Sequence, residues 1–417
     1  MGRVRETAER LWNGEESLHG EPWNMFAGLE ELADGVAFVS SFCNVIAIAT
    51  DAGLVVVDTG SPLTGAGTAH EIAAWCKASG RPFDVHSIVY THGHIDHVSG
   101  VEPLTTSTRT QVIAHRALRD RFDRYVLTGG YNAAINQRQF RLPGLEWPRR
   151  FRYPDLVFDA QLELGVGGRR FALRHDRGET DDHVWVWIED RKALCTGDLF
   201  IWASPNCGNP QKAQRYPREW AHALRAMAAL GAELLLPGHG PPILGRERVA
   251  RALDETARLL ETLVEQTLHW MNEGAPLDVV LARVKAPEEL LARPYLRPVY
   301  DEPEFIVRNL WRLYGGWWDG DPSTLKPAPK TALAEELAAL SGGAKRLARR
   351  AMELSEIDEH RLACHLIELA ALADSADAEV RALRARIYRA RAQTESSLMA
   401  RGVFHGAAEE GPNRGFE

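Results

Sequence analysis

Residues 91–97 read T-H-G-H-I-D-H, so three imidazoles and a carboxylate fall within six residues, directly after the apolar run Ile88-Val89-Tyr90. No other feature constrains the chain as tightly. Ligands this dense are useful only where a buried strand ends and its backbone turns at an open edge, the place where α/β layers bind their ligands. His92 and His94 are two apart and share one side of an extended strand end. Asp96 and His97 then face a second centre as the chain turns. Such a His/Asp set suits a borderline-soft divalent ion such as zinc. The competing reading, a surface loop that happens to be rich in histidine, is disfavoured because histidine is scarce elsewhere: the 417-residue chain has 15.

The surrounding pattern supplies such an edge. Residues 36–40, 44–50 and 53–58 are short β-branched runs, the last two joined at Asp51-Ala52-Gly53 as a hairpin. A helix over 70–77 and a strand over 85–90 complete a crossover unit, and 112–114 is a further short strand. Residues 116–150 are rich in arginine and aromatics with poor periodicity, which predicts a long irregular excursion over the cluster. Strand-like runs return at 162–164, 169–174, 183–188 and 192–196. Next to these runs stand Gly178-Glu179-Thr180-Asp181-Asp182-His183, Gly197-Asp198 and, after 233–236, Pro237-Gly238-His239. One rim can therefore collect His92, His94, Asp96, His97, Glu179, Asp198 and His239.

Composition excludes several classes. A net charge of −8 without a basic stripe gives no nucleic-acid surface. Five scattered cysteines without a CxxC argue against a disulfide framework and a cysteine zinc site, and fit a reducing compartment. No apolar leader or membrane span is visible, so a cytoplasmic location is expected.

The motifs resemble those of the metallo-β-lactamase superfamily: T-H-x-H-x-D-H at 91–97, Gly197-Asp198 and Gly238-His239, in that order. The resemblance implies an α/β, four-layered αβ/βα sandwich over 35–245, after an extension at 1–34. It implies that His92 and His94 bind a first metal and Asp96, His97 and His239 a second, with Asp198 bridging. Where most members carry Gly-His-Thr this chain has Gly178-Glu179-Thr180, which resembles the alkylsulfatase branch, whose glutamate ligates the first metal. Residues 309–327, with Trp311, Trp317 and Trp318, resemble the alkylsulfatase dimerisation domain, which implies an all-α region over 246–408, a homodimer, and a flexible tail at 409–417. Asn132 and Arg215 resemble the branch's sulfate contacts, and Arg138 and Arg215 are candidate counter-charges for an anionic substrate, because a guanidinium fork matches two oxygens of a sulfate. Asp198 departs from the branch, which usually has a glutamate there. The sequence also stops before the sterol-carrier-like domain of full alkylsulfatases, so short or medium esters are expected to react at least as well as long ones.

In the helical half, 246–272 carries an apolar stripe of Val249, Leu253, Leu260, Leu263, Val264, Leu268 and Met271. Residues 304–314 form a second amphipathic stretch. Four helices at 331–340, 344–354, 358–373 and 376–394 resemble stacked tetratricopeptide-like pairs, and residues 402–417 turn glycine-rich and polar, the last ten of them expected to fray.

The expected function is a binuclear metal-dependent hydrolase, alkylsulfatase-like, cleaving a small anionic sulfate ester by a metal-activated hydroxide. Asp96 and Asp198 are the catalytic carboxylates. Two divalent ions are implied, zinc first, with manganese or iron favoured by the harder Glu179 ligand. A lactonase, a phosphodiesterase or another ester hydrolase is the alternative, and a non-catalytic scaffold with a structural metal the third reading.

Overall fold

The computed structural model describes residues 2–16 and 28–410. The chain forms two compact units, one of residues 1–129 and 147–316, the other of 130–146 and 317–417.

The first unit begins with α1 (Arg3–Trp12) and β1 (Gly28–Ala33), followed by β2 (Val36–Ser40), β3 (Val45–Thr50) and β4 (Gly53–Val57). Thr50 pairs with Gly53 across the expected hairpin. The extension at 1–34 is not separate: β1 pairs antiparallel with β2 and makes the sheet edge, and Val4 and Leu11 of α1 are buried. Then come α2 (Gly65–Ala78), β5 (Val85–Val89), the short α3 (Ile95–Val98), β6 (Gln111–His115) and α4 (Leu118–Leu127). After α5 (Gly129–Phe140), β7 (Leu156–Phe158) completes a seven-stranded sheet in the order β1 to β7.

β8 (Gln161–Val166), β9 (Arg169–His175), β10 (Val184–Ile188) and β11 (Ala193–Ile201) follow. With α6 (Pro217–Ala228), β12 (Leu234–His239) and β13 (Ile243–Leu244), they build a six-stranded sheet ordered β13-β12-β11-β10-β9-β8. The sheets face each other across one apolar layer, in which Phe38, Ile46, Val57 and Ile113 meet Phe171, Val184, Val186 and Leu236. Strands buried on both faces read as unbroken apolar runs instead of alternating ones, which is why β2, β3 and β10 were visible in the sequence. Helices cover the outer faces, giving the αβ/βα sandwich.

α7 (Arg246–Asn272), α8 (Leu277–Arg283), α9 (Glu288–Leu291) and α10 (Pro303–Gly315) complete this unit. The apolar stripe of α7 is spent here: Val249, Leu253, Leu260 and Leu263 share a core with Ile306 and Leu310 of α10 and with Trp185, Leu199 and Leu235 of the sheet. The compact units thus divide near 316, not at the 245/246 boundary read from sequence.

The second unit holds α5, α11 (Pro322–Leu325), α12 (Lys330–Ser341), α13 (Ala344–Glu356), α14 (His360–Ala373), α15 (Ala378–Thr394) and α16 (Leu398–Glu409). Its core is small-residue and aliphatic, with Ala338, Leu347, Ala351, Ile367, Val380 and Ile387. One expectation is corrected: the stretch 116–150 is mostly helical, as α4 and α5. The glycine-rich end forms a further helix, α16, as far as Glu409, and of the tail expected to fray 411–417 lies outside the described residues. The glycines there serve packing: a Cβ on Gly402 would lie 2.5 Å from the Gln139 carbonyl oxygen, so α16 crosses α5 at backbone distance.

Candidate metal centre

The histidine cluster follows β5, and three further segments, carrying Glu179, Asp198 and His239, bring the remaining candidate ligands to it. His92 Nε2 and His94 Nδ1 lie 2.8 Å apart, each 3.6 Å from Glu179 Oε2. Asp198 Oδ2 is 3.8 Å from His92 Nε2. On the other side Asp96 Oδ2 is 3.3 Å from His239 Nε2 and 3.7 Å from His97 Nε2. Asp198 faces this side too, with Oδ1 3.3 Å from His97 Nε2 and Oδ2 3.4 Å from His239 Nε2. The seven residues therefore form two groups capable of holding a cation, with Asp198 between them. A third set, Cys43, Asp58 and His97, supports the second group from behind.

Two glycines make this convergence possible. Gly197 has φ +49°, and a Cβ there would stand 2.7 Å from the Thr91 side chain and 2.8 Å from the His183 ring. A Cβ on Gly238 would come within 2.3 Å of Asp198 Oδ1. The Gly-Asp and Gly-His pairs are thus steric requirements for bringing β11 and β12 against the cluster.

His92, His97, His239 and Glu179 are each held by a partner behind them, which fixes the direction of the side chain. His97 Nδ1 lies 2.7 Å from Asp58 Oδ2, so its Nε2 lone pair points to the centre. Asp58 also accepts from Thr91 N at 2.7 Å and Thr91 Oγ1 at 2.8 Å. Thr91 Oγ1 in turn lies 3.1 Å from His92 Nδ1. His239 Nδ1 donates to the Phe42 carbonyl at 2.5 Å. The loop that carries His239 is clasped by Asn44, whose Nδ2 donates to the carbonyls of Pro237 at 3.0 Å and Gly240 at 2.7 Å. Asn206 Nδ2 donates to Glu179 Oε1, and the Arg215 guanidinium meets both the Glu179 carbonyl and its carboxylate.

Gly93, between the first two histidines, donates its N–H to Asp182 Oδ2 at 2.8 Å, and Asp182 Oδ1 accepts from Arg121 Nε at 2.8 Å. His183 accepts the Asp198 backbone N–H at Nε2, 3.1 Å away, and stacks on His92. Burial pulls its pKa down to about 3, so His183 is a neutral acceptor that orients Asp198 and not an acid of the site.

The electrostatics call for cations. Burial and the neighbouring Asp198 push Glu179 well above the usual carboxylate range. His97 Nε2, Glu179 Oε2 and Asp198 Oδ1 are buried and without a hydrogen-bond partner, and all three face the centre. Lone pairs and carboxylate oxygens arranged in this way fit divalent ions. Among the ligands, His94 and Asp96 keep side-chain exposures of 18% and 21%, so the centre opens to solvent at their side.

Of the three residues expected to contact substrate, only Arg215 belongs to this unit. It is 2% exposed and lies behind Glu179. Asn132 and Arg138 stand on α5 in the second unit, where the Arg138 stem packs at the place of Gly406. Sequence reading missed Asp58, Asn44 and Asn206. Asp58 had a signal, the Asp-Thr-Gly break at the end of β4, and its φ of +60° marks a strained position.

Residues 40–239 match the metallo-beta-lactamase superfamily, and residues 277–413 match the alkyl sulfatase dimerisation family. A linear primary-alkylsulfatase of Pseudomonas sp. is 28% identical over 364 residues, 81% of this chain and 68% of that protein. An (R)-specific secondary-alkylsulfatase of Pseudomonas sp. is 25% identical, over 94% of this chain and 64% of its own length. The chain thus spans about two thirds of these relatives. The stereoselective inverting sec-alkylsulfatase Pisa1 from Pseudomonas sp. has the same fold, with a TM-score of 0.84 at 22% identity over 96% of this chain and 69% of that one.

Proposed function

We propose, for a chain that belongs to the metallo-β-lactamase superfamily and its alkylsulfatase-like branch, a binuclear metal-dependent hydrolase that cleaves a small organic sulfate ester. The observation that carries this reading is the pair of ligand groups meeting at Asp198 and open on the side of His94 and Asp96. An open position separates a catalytic site from a closed structural one.

His92, His94, Glu179 and Asp198 would hold the first ion, and Asp96, His97, His239 and Asp198 the second. When bound, such a pair lowers the pKa of water from 15.7 to about 7 and polarises the ester. The chain's own part is to hold this geometry without reorganising. Asp58 keeps the His97 Nδ1 proton away from the centre, and the Phe42 carbonyl does the same for His239. Asn206 occupies Glu179 Oε1, which leaves Oε2 for the ion. His183 fixes the backbone of Asp198, so that this carboxylate serves both sides. Zinc is our first choice of metal, and the oxygen ligand Glu179 keeps manganese and iron in contention.

Arg215, by its contacts, steadies Glu179. A substrate role rests for Asn132 on the resemblance and for Arg138 on its charge, and their alanine variants belong in the same assay. The chain has no described helix long and apolar enough to cross a membrane. Its five unpaired cysteines support a reducing, cytoplasmic setting. A homodimer is proposed from the match at 277–413. Since α7 is spent on the core, the exposed apolar side chains left for it in the second unit include Trp317 and Leu325, 71% and 49% exposed. Light scattering at low micromolar concentration should then give about twice 46.4 kDa.

The test of function is kcat/KM over alkyl sulfates of about four to twelve carbons, beside a lactone and a phosphodiester, with metal analysis of the same protein. Burial contributes about 0.8 kcal/mol per CH₂, so a rise of roughly fourfold per carbon to the end of the series would reveal a long apolar tunnel. Short and medium sulfates reacting as well as dodecyl sulfate is the expected result. Turnover of the lactone or phosphodiester alone would move the function to that ester class, which the aspartate at 198 favours. Full activity with no bound metal would end the metallohydrolase reading.

A further inference from the structure

Glu179 depends on a loop, residues 204–216, that has no regular structure of its own. Asn206 and Arg215, the two side chains on Glu179, both come from it. An irregular segment holds a ligand accurately only if something outside it fixes its backbone. Here the outside element is the segment around α10, far along the chain and within the region that matches the dimerisation family.

The attachment centres on Asn309, buried on α10. Its Nδ2 donates to the Arg215 carbonyl at 3.1 Å, and its Oδ1 accepts from Arg215 N at 3.4 Å. The carboxamide thus pairs with one residue's N–H and C=O together, as a neighbouring β-strand would. Gln214 Nε2 adds a bond to the same Oδ1 at 2.7 Å, and Arg312 Nε holds Gln214 Oε1 at 3.1 Å. On the other side Tyr216 N donates to the Gly178 carbonyl at 2.9 Å, which ties the loop to the strand end that carries Glu179. Asp301 secures the earlier half of the loop by accepting from Gly208 N at 2.5 Å.

We infer that Asn309 is a positioning residue for the first metal site: through its paired hydrogen bonds to Arg215 it sets where the guanidinium meets Glu179, and it does not act on the second site. The inference rests on the metal-centre reading above and adds to it a part for the helical segment. An asparagine that merely filled a polar place in the core would weaken both sites alike as the fold loosened.

The experiment is a Co²⁺ titration of the whole protein, followed by visible ligand-field absorption, with Glu179→Ala and His239→Ala marking the loss of the first and second equivalents. Asn309→Leu should weaken the Glu179-dependent equivalent about tenfold, at the lower end of the range for ligand-supporting partners, and leave the His239-dependent one within twofold. Added to Arg215→Met, Asn309→Leu should weaken that equivalent less than twofold further, because both act along one path. Equal weakening of the two equivalents, or losses that multiply in the double variant, would overturn the inference. If Asn309→Leu does not fold, Asn309→Asp keeps an acceptor for Arg215 N and loses the donor. It should show the same selectivity in smaller measure, and its absence counts against the proposal equally. Wild-type protein that takes up neither equivalent overturns the metal centre itself, and this inference with it, before any variant is compared.

Discussion

His92 and His94, on the Glu179 side, and His97 and His239, on the Asp96 side, are imidazoles of one centre with opposite electrostatic settings. Burial holds His92 and His94 well below the usual imidazole range, helped by neighbouring imidazoles around His92 and by Arg215 and Arg121 near His94. Burial also disfavours charge at His97, yet Cys43, Asp198, Asp58 and Asp96 raise it well above that range. At His239 the same contest, with Asp198 and Asp96 winning, ends at about 10. One group is a set of neutral lone pairs backed by an arginine. The other is biased by its carboxylates toward the protonated form while no ion is bound, and an ion must displace those protons. The difference shows that ligand type alone does not describe such a site; the groups behind the ligands set its resting charge.

Variants of those supporting groups should separate the two halves. The largest effect is expected at Asp182, which supports the first half by holding the Gly93 N–H. Asp182→Ala strands the buried Arg121 guanidinium on the half-exposed Asp181 alone, and breaking a buried pair costs about 3–5 kcal/mol. Denaturant unfolding should show that loss; a change under 1 kcal/mol would mean Arg121 finds water. Asp198→Ala should erase the contrast, since this carboxylate serves both groups: kcat/KM should fall by more than about 100-fold, beyond the range for supporting residues, and both metal equivalents should weaken. Retention of either at wild-type affinity would show that Asp198 serves one side only.

Asp58→Asn acts chiefly on the second half, because Asp58 touches His97 directly and reaches His92 only through Thr91. It should lower the affinity of the His239-dependent equivalent by about 10–100-fold, and weaken the other clearly less in the same titration. The smallest effect concerns Asp301, beneath the first half. Burial raises its pKa from 3.8 to about 7, against the backbone N–H groups that favour its charge. Its stabilising contribution is therefore fully present below about pH 4 and is lost as pH rises through about 7. Wild type should lose a few degrees of Tm relative to Asp301→Asn over that interval; parallel Tm profiles would rule the titration out.

The residues that converge as candidate ligands were visible in the sequence because they crowd beside strand ends, and a strand such as β10 is an unbroken apolar run. Their supports were not. Asn44, Asn206 and Asn309 act on groups 193, 27 and 94 residues away, and an isolated asparagine has no spacing that announces a partner. Asp182 was quoted as one acid among several, while its job depends on Arg121, in a stretch read as irregular. That reading failed for the same reason: Leu118, Arg121, Phe122 and Tyr125 form a helical stripe, but a buried arginine inside it broke the apolar pattern. α16 is absent from the four helices that the sequence pattern announces because glycine is a poor helix former, whereas close crossing of α5 rewards Gly402 and Gly406.

The crossing of α16 over α5 has a consequence for the order of events during synthesis. α5 leaves the ribosome with the first half of the sandwich, but its partner follows some 260 residues later. At about 5–20 residues per second, α5 waits tens of seconds for the surface it packs on. Until then the face that α16 will cover is available to chaperones or to other nascent chains. Neither unit is a continuous stretch that could be expressed by cutting once at 316, because that cut leaves α5 behind in the wrong fragment.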